Sequence, residues 1–442
     1  MAPRLWFLTL LAVSALLLLA ACTNVINTGG DEGRSGDGGD DGSGEDGGGA
    51  GDDSGGDDSG GGDDSGGDSG GGDDSGGGDD GSEEPLGFLA VLEVPGLVES
   101  EDGNSIRVSS ILADGTLELA GVHPLTGSLF PTTFATHPAA PFVYAGDEDG
   151  QQLFGLSMNE AGVLQELDFS PEGLDGASAE VLAVMNDGSR LYALLSDRRV
   201  RAFDADMESG ELSLIGDVTE ISGLGVAPGM AAHPTLGNLY VMVEGDGVFY
   251  VANYITDDGG DLFLDIYITV LADGFPDLMA VSPDGKWIFT LSSVGGGGPC
   301  ADIQCSYIGT LALDAAGNPA DQSENINTLM VARGAVIDPQ SRFLFLAGYY
   351  DQVSSEDGAI QVYAIDPDNG SLTMMDDVGF ADGENPGGMA VSPDGRFLYV
   401  GDYIHGKVVA YEIDQDRGEL TELPDSPFDS GFGAAFPAVL TP

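Results

Sequence analysis

Seven side chains that can bind a ligand or move a proton occupy two equivalent places in a segment that recurs along the chain, and an eighth lies in a loop just after one of them. They are carboxylates, tyrosines, one arginine and one histidine, namely Glu148, Asp197, Glu244, Asp277, Arg333, Tyr349, Tyr403 and His405. A carboxylate or an imidazole can act as a general base on water, and a guanidinium can stabilise an oxyanion. The set therefore predicts a ligand site, provided that the fold brings these places together.

The recurring segment is a turn with a strand on each side. Ser-Pro-Asp-Gly begins at Ser282 and again at Ser392, each time followed by a basic residue and an apolar run. Looser copies of this turn phrase begin at His137, Asn186, His233 and Asp338. The copies start 47 to 56 residues apart, and a spacing near 50 is typical of a β-propeller with one blade per repeat.

A seventh copy is divided between the two ends of the domain. The final segment Ala438–Pro442 matches the start of a turn phrase, and Leu86–Val91 matches the strand that should follow it. The C-terminus is therefore expected to supply the innermost strand of a blade whose outer strands come from the N-terminal side. This closure leaves no unpaired edge in the ring. The sequence predicts an all-β fold, a seven-bladed propeller closed by its C-terminal strand.

The two strands beside each turn run antiparallel, which places the eight side chains on one face of the disc. Residues five before the turn Ser, such as Arg333, and eleven after it, such as Glu244, reach the same face, and His405 follows Tyr403 in the next loop. Each also has a simpler explanation. The carboxylates can be solvated surface groups, Arg333 can pair with one of them, and His405 can be an ordinary loop residue.

Other conspicuous residues are assigned to turns. His137 and His233 replace the turn Ser and are expected to hydrogen-bond the turn. The pairs Asp204-Ala-Asp206, Asp366-Pro-Asp368 and Asp414-Gln-Asp416 each lie before a Gly. This pattern resembles a calcium loop superficially, but an Asp that caps a turn, with Gly at a positive φ, explains it without a metal.

The sequence of residues 1–21 predicts an export signal. Arg4 precedes the apolar run Leu5–Ala20, and Leu19-Ala20-Ala21-Cys22 resembles a bacterial lipobox. That resemblance implies that Cys22 is the lipidated N-terminus, anchored in the lipid bilayer of the cell envelope. The alternative is an ordinary signal peptide or membrane anchor with a chance Cys. Thr23 in place of Asp resembles outer-membrane sorting, with the domain on the periplasmic or the surface face.

Residues 22–85 are expected to be a disordered linker between the anchor and the propeller, which covers residues 86–442. Between Gly29 and Glu84 the linker has 20 acidic residues, one Arg and almost nothing apolar, so it cannot bury enough surface to fold.

The charge of the chain excludes one class of partner, and the cysteines indicate a disulfide rather than a metal site. The formal net charge of the chain is −62, and residues 86–442 carry 55 Asp and Glu against 11 Lys and Arg. Such a surface repels nucleic acid, which we exclude as a partner. Cys300 and Cys305 are predicted to form a local disulfide, since a metal site would need two further ligands nearby.

The turn phrase and an outer turn of the form Asp-x-x-x-Gly-x-Leu, as at Asp366–Leu372, resemble the seven-bladed lactonase family over Leu86–Pro442. This family contains bacterial 6-phosphogluconolactonase and fungal carboxymuconate-lactonising enzyme. The resemblance implies a lactone site in which Arg333 stabilises the oxyanion and Glu244 or His405 is the general base. Glu148, Asp277, Tyr349 and Tyr403 would complete the mouth.

Two functions follow as alternatives. One is a membrane-anchored, monomeric lactonase-family propeller that binds, and as an enzyme hydrolyses, a small lactone or sugar-derived ligand without a cofactor or metal. The other is a non-catalytic envelope propeller that binds protein or glycan across its face. The turn phrase predicts the architecture more specifically than the activity.

Overall fold

The computed structural model describes residues 84–93, 104–128, 130–147, 150–221, 225–245, 248–257, 261–269, 275–295, 304–320, 326–328, 330–352, 355–380, 386–402, 405–430 and 434–440. Within these ranges the regular structure is entirely β, and it lies in the unit Gly78–Pro442. No helix of the described part is long and apolar enough to span a bilayer. The predicted signal segment, Cys22 and the linker up to residue 83 lie outside the described residues.

The strands form seven sheets, which confirms the predicted seven-bladed propeller. Blades 1 to 3 contain β1 (Gly87–Glu93), β2 (Ser105–Ile111), β3 (Leu117–Pro124), β4 (Pro131–Thr136), β5 (Phe142–Asp147), β6 (Gln152–Met158), β7 (Leu164–Glu166), β8 (Glu172–Gly173), β9 (Ala179–Val184), β10 (Arg190–Leu195), β11 (Arg199–Ala205) and β12 (Leu212–Glu220). Blades 4 and 5 contain β13 (Gly225–Ala232), β14 (Asn238–Gly245), β15 (Val248–Thr256), β16 (Leu262–Thr269), β17 (Phe275–Val281), β18 (Trp287–Gly295), β19 (Gln304–Ala312) and β20 (Ile326–Asn327). Blades 6 and 7 contain β21 (Val331–Ile337), β22 (Phe343–Gln352), β23 (Ser355–Ile365), β24 (Leu372–Gly379), β25 (Pro386–Val391), β26 (Phe397–Asp402), β27 (Lys407–Ile413), β28 (Leu420–Glu422) and β29 (Phe428–Asp429), and the last strand, β30 (Ala434–Leu440), belongs to blade 1.

The ring closes through blade 1, as the divided repeat predicted. Strand β30 pairs antiparallel with β1, with Leu440 opposite Phe88 and Ala438 opposite Ala90. The innermost strands β30, β4, β9, β13, β17, β21 and β25 contact one another in this order, and β25 contacts β30 again. Both ends of the propeller are therefore held in one sheet.

The turn phrase joins the innermost strand of a blade to the second strand. The Ser392 hydroxyl donates to the Asp394 carboxylate at 2.6 Å and accepts the backbone N–H groups of Arg396 and Phe397. Ser282 makes the same contacts in blade 5, and Gly285 and Gly395 follow at positive φ. The recurring Ser, Asp and Gly are therefore explained by turn geometry.

The same turns also connect neighbouring blades where His replaces Ser. His137 is buried; its Nδ1 accepts the backbone N–H of Ala139 at 3.1 Å, and its Nε2 lies 3.0 Å from the carbonyl oxygen of Gly188 in blade 3. His233 repeats the arrangement with Thr235 and with Gly285 of blade 5. The expectation that these imidazoles serve the turn is confirmed, and each also ties its blade to the next.

Buried tyrosines make a second set of ties between blades. The hydroxyls of Tyr144, Tyr240 and Tyr399 donate to the carbonyl oxygens of Gly210, Gly317 and Gly115, each in the outer turn of the next blade. Burial is the main cause that raises the pKa of these three hydroxyls, so they remain protonated donors.

In the outer turns, Asp side chains cap the turn, as the sequence predicted. One carboxylate oxygen of Asp414 accepts the backbone N–H groups of Asp416 and Arg417, and Gly418 has a φ of 71°. Asp206 and Asp366 cap their turns in the same way. These acids are therefore turn caps.

The core fills the spaces between facing blades. Between blades 6 and 7, for example, Phe345 and Val362 pack with Met389, Leu398 and Val400. Strands two and three carry most of these side chains, and their near-continuous burial reflects a sheet covered on both faces.

We expect the His137 tie to make stability depend on pH. Burial lowers the pKa of His137 below its usual 6.5, because the charged imidazolium loses solvation there, and this outweighs the opposite effect of the Gly188 carbonyl. The neutral Nδ1 accepts the backbone N–H of Ala139. The contribution is complete above about pH 6.5, the pKa in the unfolded chain. It declines as the pH falls from there towards the lowered pKa of the folded state. His137→Asn, which introduces the residue that blade 3 has at Asn186, should therefore cost more stability at pH 7.5 than at pH 5.5, by up to about 1 kcal/mol.

Thermal unfolding of both chains at the two pH values, followed by circular dichroism, measures this difference. Comparison of variant with parent cancels the general effect of protonating surface carboxylates. An equal loss of stability at both pH values would contradict the role assigned to the neutral imidazole.

Candidate functional site

In every blade, the register between the innermost strand and the second strand is interrupted close to the start of the innermost strand. All these starts lie on one face of the ring. We call this end the mouth. In β21, Ala332 lies opposite Gly348 and Gly334 opposite Ala347, so Arg333 is an extra residue without a partner on β22. A β-bulge of this kind redirects side chains and is frequent beside active sites.

The other six blades show the same interruption of the register. The residues that interrupt the pairing are Ala435 in blade 1, Thr132 in blade 2, Glu180 in blade 3, 227–229 in blade 4, Asp277 in blade 5 and Gly387–Gly388 in blade 7. The bulged residues, which have no partner in the ladder, therefore form a circle around the mouth. Asp277 and Arg333 lie where the repeat predicted; the side chain of Asp277 lies outside the described part.

Arg333 is exposed and held by Tyr349. Its guanidinium donates to the Tyr349 hydroxyl at 3.2 Å and lies 5.3 Å from the centre of the same ring. Tyr349 is on the adjacent strand, opposite Val331. Two of the eight predicted site residues are thus in direct contact, through a hydrogen bond and a cation–π contact.

The bulge of Arg333 lies against that of blade 7. A methyl group added to Gly334 would be 2.3 Å from the carbonyl oxygen of Gly387. Pro386, just before Gly387, pairs with Asp402 at the end of β26. Arg333 and Asp402 therefore belong to neighbouring blades whose bulges are in contact at the mouth.

That loop carries His405, whose imidazole is oriented by a buried carboxylate. Nδ1 of His405 lies 2.7 Å from the Asp402 carboxylate, and another bond runs from the His405 backbone N–H to the same side chain. The Asp402 side chain is 3% exposed and that of His405 is 44% exposed. An imidazole that donates from Nδ1 has its free lone pair on Nε2, which is the arrangement of an oriented general base.

Glu244 lies elsewhere on the circle. It ends the paired part of β14, opposite Gly225, and is partly exposed. Its blade is two places from the blade of Arg333 and three from that of His405 in the ring order. Asp197 is exposed in the turn after β10 and pairs with Arg199.

Four of the described mouth acids were not found from the repeat, namely Asp402, which orients His405, and three others. Glu93, which pairs with Arg107 at 2.7 Å, ends β1 in the divided blade. Asp147 is fully buried at the end of β5 and accepts the backbone N–H groups of Phe130 and Gly150. Glu180 is the bulged residue of blade 3, one place before the position that counting from the turn indicates.

Several predicted residues lie outside the described part, namely Glu148, Tyr403, Cys22 and Cys300. Cys305 is buried in β19 and is disulfide-bonded. Within the described ranges, no group of three or more His, Cys, Asp and Glu side chains is arranged to hold a metal ion.

The close approach of the two bulges gives a stability prediction. Gly334→Ala should destabilise the propeller by about 1–3 kcal/mol, because the new methyl group meets a backbone oxygen that cannot move alone. Gly379→Ala, in β24 of the same blade, is the matched control, since nothing lies within 4 Å of its added methyl group.

Urea unfolding of both variants measures the two free energies. Gly334→Ala should have the lower midpoint with an unchanged slope. Equal midpoints would show that the contact between the bulges does not constrain the ring.

In comparisons with known proteins, this chain is similar to lactonases. The model of the family described as "Lactonase, 7-bladed beta-propeller" matches residues 335–432. A 6-phosphogluconolactonase of Serratia proteamaculans is 26% identical over 275 residues, covering 60% of this chain and 76% of that protein.

Solved structures at lower identity show the fold alone. A protein from Lactobacillus plantarum is 18% identical, with a TM-score of 0.59 over 80% of this chain and 98% of its own. The periplasmic gluconolactonase of Pseudomonas aeruginosa is 15% identical, with a TM-score of 0.60 over 80% of this chain and 99% of its own.

Proposed function

We propose that this chain, which belongs to the seven-bladed β-propeller lactonase family as its turn phrases predicted, binds a small lactone at the mouth and hydrolyses it. One observation carries the proposal. The bulge of blade 6 carries an exposed guanidinium, and blade 7, whose bulge contacts that of blade 6, carries an oriented imidazole. An anion stabiliser and a base on adjacent blades are the two groups that ester hydrolysis requires.

The hydrolysis begins with His405. Nε2 of the imidazole takes a proton from a water molecule as the water oxygen adds to the lactone carbonyl carbon. The imidazolium that forms is stabilised by the Asp402 carboxylate at 2.7 Å. Because Asp402 is buried, its charge is screened less by solvent than that of a surface carboxylate.

Arg333 completes the step. Its guanidinium donates to the oxyanion of the tetrahedral intermediate, and Tyr349 holds it in position. When the intermediate collapses, the bond between the acyl carbon and the ring oxygen breaks. The imidazolium returns its proton to that oxygen, and the product is an open-chain hydroxy acid.

Glu244 is assigned to the ligand rather than to the reacting carbonyl. It lies two blades from Arg333, and its carboxylate can accept hydrogen bonds from hydroxyl groups of a sugar-derived lactone. Thr132, in the bulge of blade 2, offers a hydroxyl on the circle.

The propeller is proposed to work in the cell envelope, attached through Cys22. The lipobox-like segment before Cys22 and the acidic linker up to residue 85 support this location. The anchor makes a separate prediction. When the full chain is produced in a bacterial host, mass spectrometry of its N-terminal peptide should find an acylated Cys22. An unmodified peptide starting elsewhere would refute the anchor and leave the enzymatic proposal intact.

The activity is tested with the purified chain and simple aldonolactones. We expect proton release above the spontaneous rate, and a loss of about 100-fold in kcat for both Arg333→Gln and His405→Gln. His123→Gln is the matched control, because His123 lies in β3, the outermost strand of blade 1. It should retain the parent activity.

Arg333 is exposed, so Arg333→Gln is not expected to lower the Tm by more than a degree or two. His405 is paired with the buried Asp402, and Gln is chosen there because its amide N–H can still donate to that carboxylate. A chain without turnover on any lactone of the panel, or variants with unchanged kcat, would refute hydrolysis at this mouth.

A further inference from the structure

The backbone just before Arg333 is bound by a side chain of the neighbouring blade. The N–H of Ala332 donates to Oγ of Ser306 at 3.0 Å, and both residues are buried. Ser306 lies in β19, the third strand of blade 5, whereas Ala332 lies in β21, the innermost strand of blade 6. The hydroxyl therefore holds the backbone at the residue where the bulge of Arg333 begins.

The backbone of Ser306 binds the connection that leads from β20 of blade 5 into β21. Its carbonyl oxygen accepts the N–H of Thr328 at 3.0 Å, and its own N–H donates to the carbonyl oxygen of Met330 at 2.8 Å. Thr328 and Met330 are buried as well. The chain that enters blade 6 is therefore bound to Ser306 at three alternate residues, and the bond to Ala332 is the one made by the side chain.

Equivalent connections in other blades do without a hydroxyl at this place. In blade 6 the carbonyl oxygen of Gly358 accepts the N–H of Phe380, and in blade 7 the carbonyl oxygen of Gly406 accepts the N–H of Ser430. Both glycines take the place of Ser306 and bind the chain that enters the next blade through the backbone alone. The ring therefore forms without this side chain in two blades, and the hydroxyl in blade 5 needs a local explanation.

We propose that Ser306 is a positioning residue for Arg333, an inference that rests on the proposed lactone hydrolysis. The two blades with glycine at this place are followed by bulges without an arginine, at Gly387–Gly388 and at Ala435. Blade 5 has the hydroxyl, and the bulge that follows it carries Arg333. An oxyanion donor must be in place before the charge develops, because a displacement of about 1 Å can remove much of the rate.

Two contacts then hold Arg333 from opposite ends. Tyr349 bonds the guanidinium, and Ser306 fixes the backbone on the N-terminal side. Cys305, directly before Ser306, is fully buried and disulfide-bonded, so the strand that carries the hydroxyl is itself tied at this point. Without the hydroxyl, the buried N–H of Ala332 loses this acceptor, and the bulge is expected to rearrange in order to satisfy it.

The test measures the opening of glucono-1,5-lactone by the full chain with Ser306→Ala. We expect kcat to fall about tenfold and KM to change less than about twofold, because the displaced guanidinium acts mainly on the transition state. In an Arg333→Gln background the same substitution should change kcat less than about twofold. Ser306→Thr retains the hydroxyl and should restore most of the parent kcat.

Ser282→Ala is the matched control. Ser282 is buried in the same blade, and its hydroxyl accepts the N–H groups of Lys286 and Trp287 at the turn end of the ring. Both alanine variants should lower the Tm by about 2–5 °C, but Ser282→Ala should retain the parent kcat. Equal losses of kcat in the two variants would overturn the positioning role, and so would additive effects of the substitutions at Ser306 and Arg333.

A spectroscopic measurement separates this inference from the proposed function. In a chain with isotope-labelled arginine, the Nε–H resonance of Arg333 is assigned by its loss in Arg333→Gln. It should shift in Ser306→Ala and stay in place in Ser282→Ala. If the parent chain opens no lactone faster than buffer, the proposed function fails, while this resonance still decides whether Ser306 positions Arg333. A resonance that is unchanged in Ser306→Ala would overturn the inference.

Discussion

Seven sheets surround a common axis in a closed ring only if the two ends of the chain are joined, and here the pairing of β30 with β1 makes that join within blade 1. Without it, two innermost edges would be exposed, and exposed edges invite pairing with other chains. Closure also ties the two ends of the domain together, so that local opening at either end must break a full set of ladder hydrogen bonds. The innermost strand of each blade contacts that of the next, so the contacts between the other blades depend on this closed ring.

In the closed ring the innermost strands lie next to one another, and all seven blades have a bulge at the mouth. Gly334 passes so close to Gly387 that no side chain fits between them. Gly348, opposite Ala332, lies equally close to the Val331 carbonyl. Small residues let the backbones approach, and the extra residue of each bulge is turned out of the ladder. The bulge between these closely packed strands therefore presents Arg333.

The parts of the fold that repeat could be predicted from the sequence, because a turn must satisfy the same local geometry in every blade. The Ser392 hydroxyl and Gly395 illustrate this: each is explained by contacts within a few residues. The divided blade could also be predicted, since Leu86–Val91 continues a pattern that stops at Pro442.

The mouth could be predicted only in part, because its residues are placed by register rather than by local pattern. Counting five residues back from the turn finds Arg333 and Asp277 but gives Val181 in blade 3, where the bulged residue is Glu180. Counting forward misses Asp402, which ends its strand one place early and is buried beneath His405. A shift of one residue moves a side chain to the other face of a strand, and nothing in one repeat reveals it.

The two ends of the ring are under different constraints, and this difference explains why the turn phrase persists while the mouth varies. At the turn end, His137 and His233 bond to glycine carbonyls of the next blade, so a change there is felt by two blades. At the mouth, Arg333, Tyr349 and His405 extend from a framework already fixed by backbone pairing and by glycine contacts. An exposed group such as Arg333 can be exchanged with little effect on folding, because its side-chain partner Tyr349 is at the surface too. In this ring, contacts between blades at the turn end therefore stabilise the fold. The side chains at the mouth can vary more freely and can form a set of charges that suits one ligand.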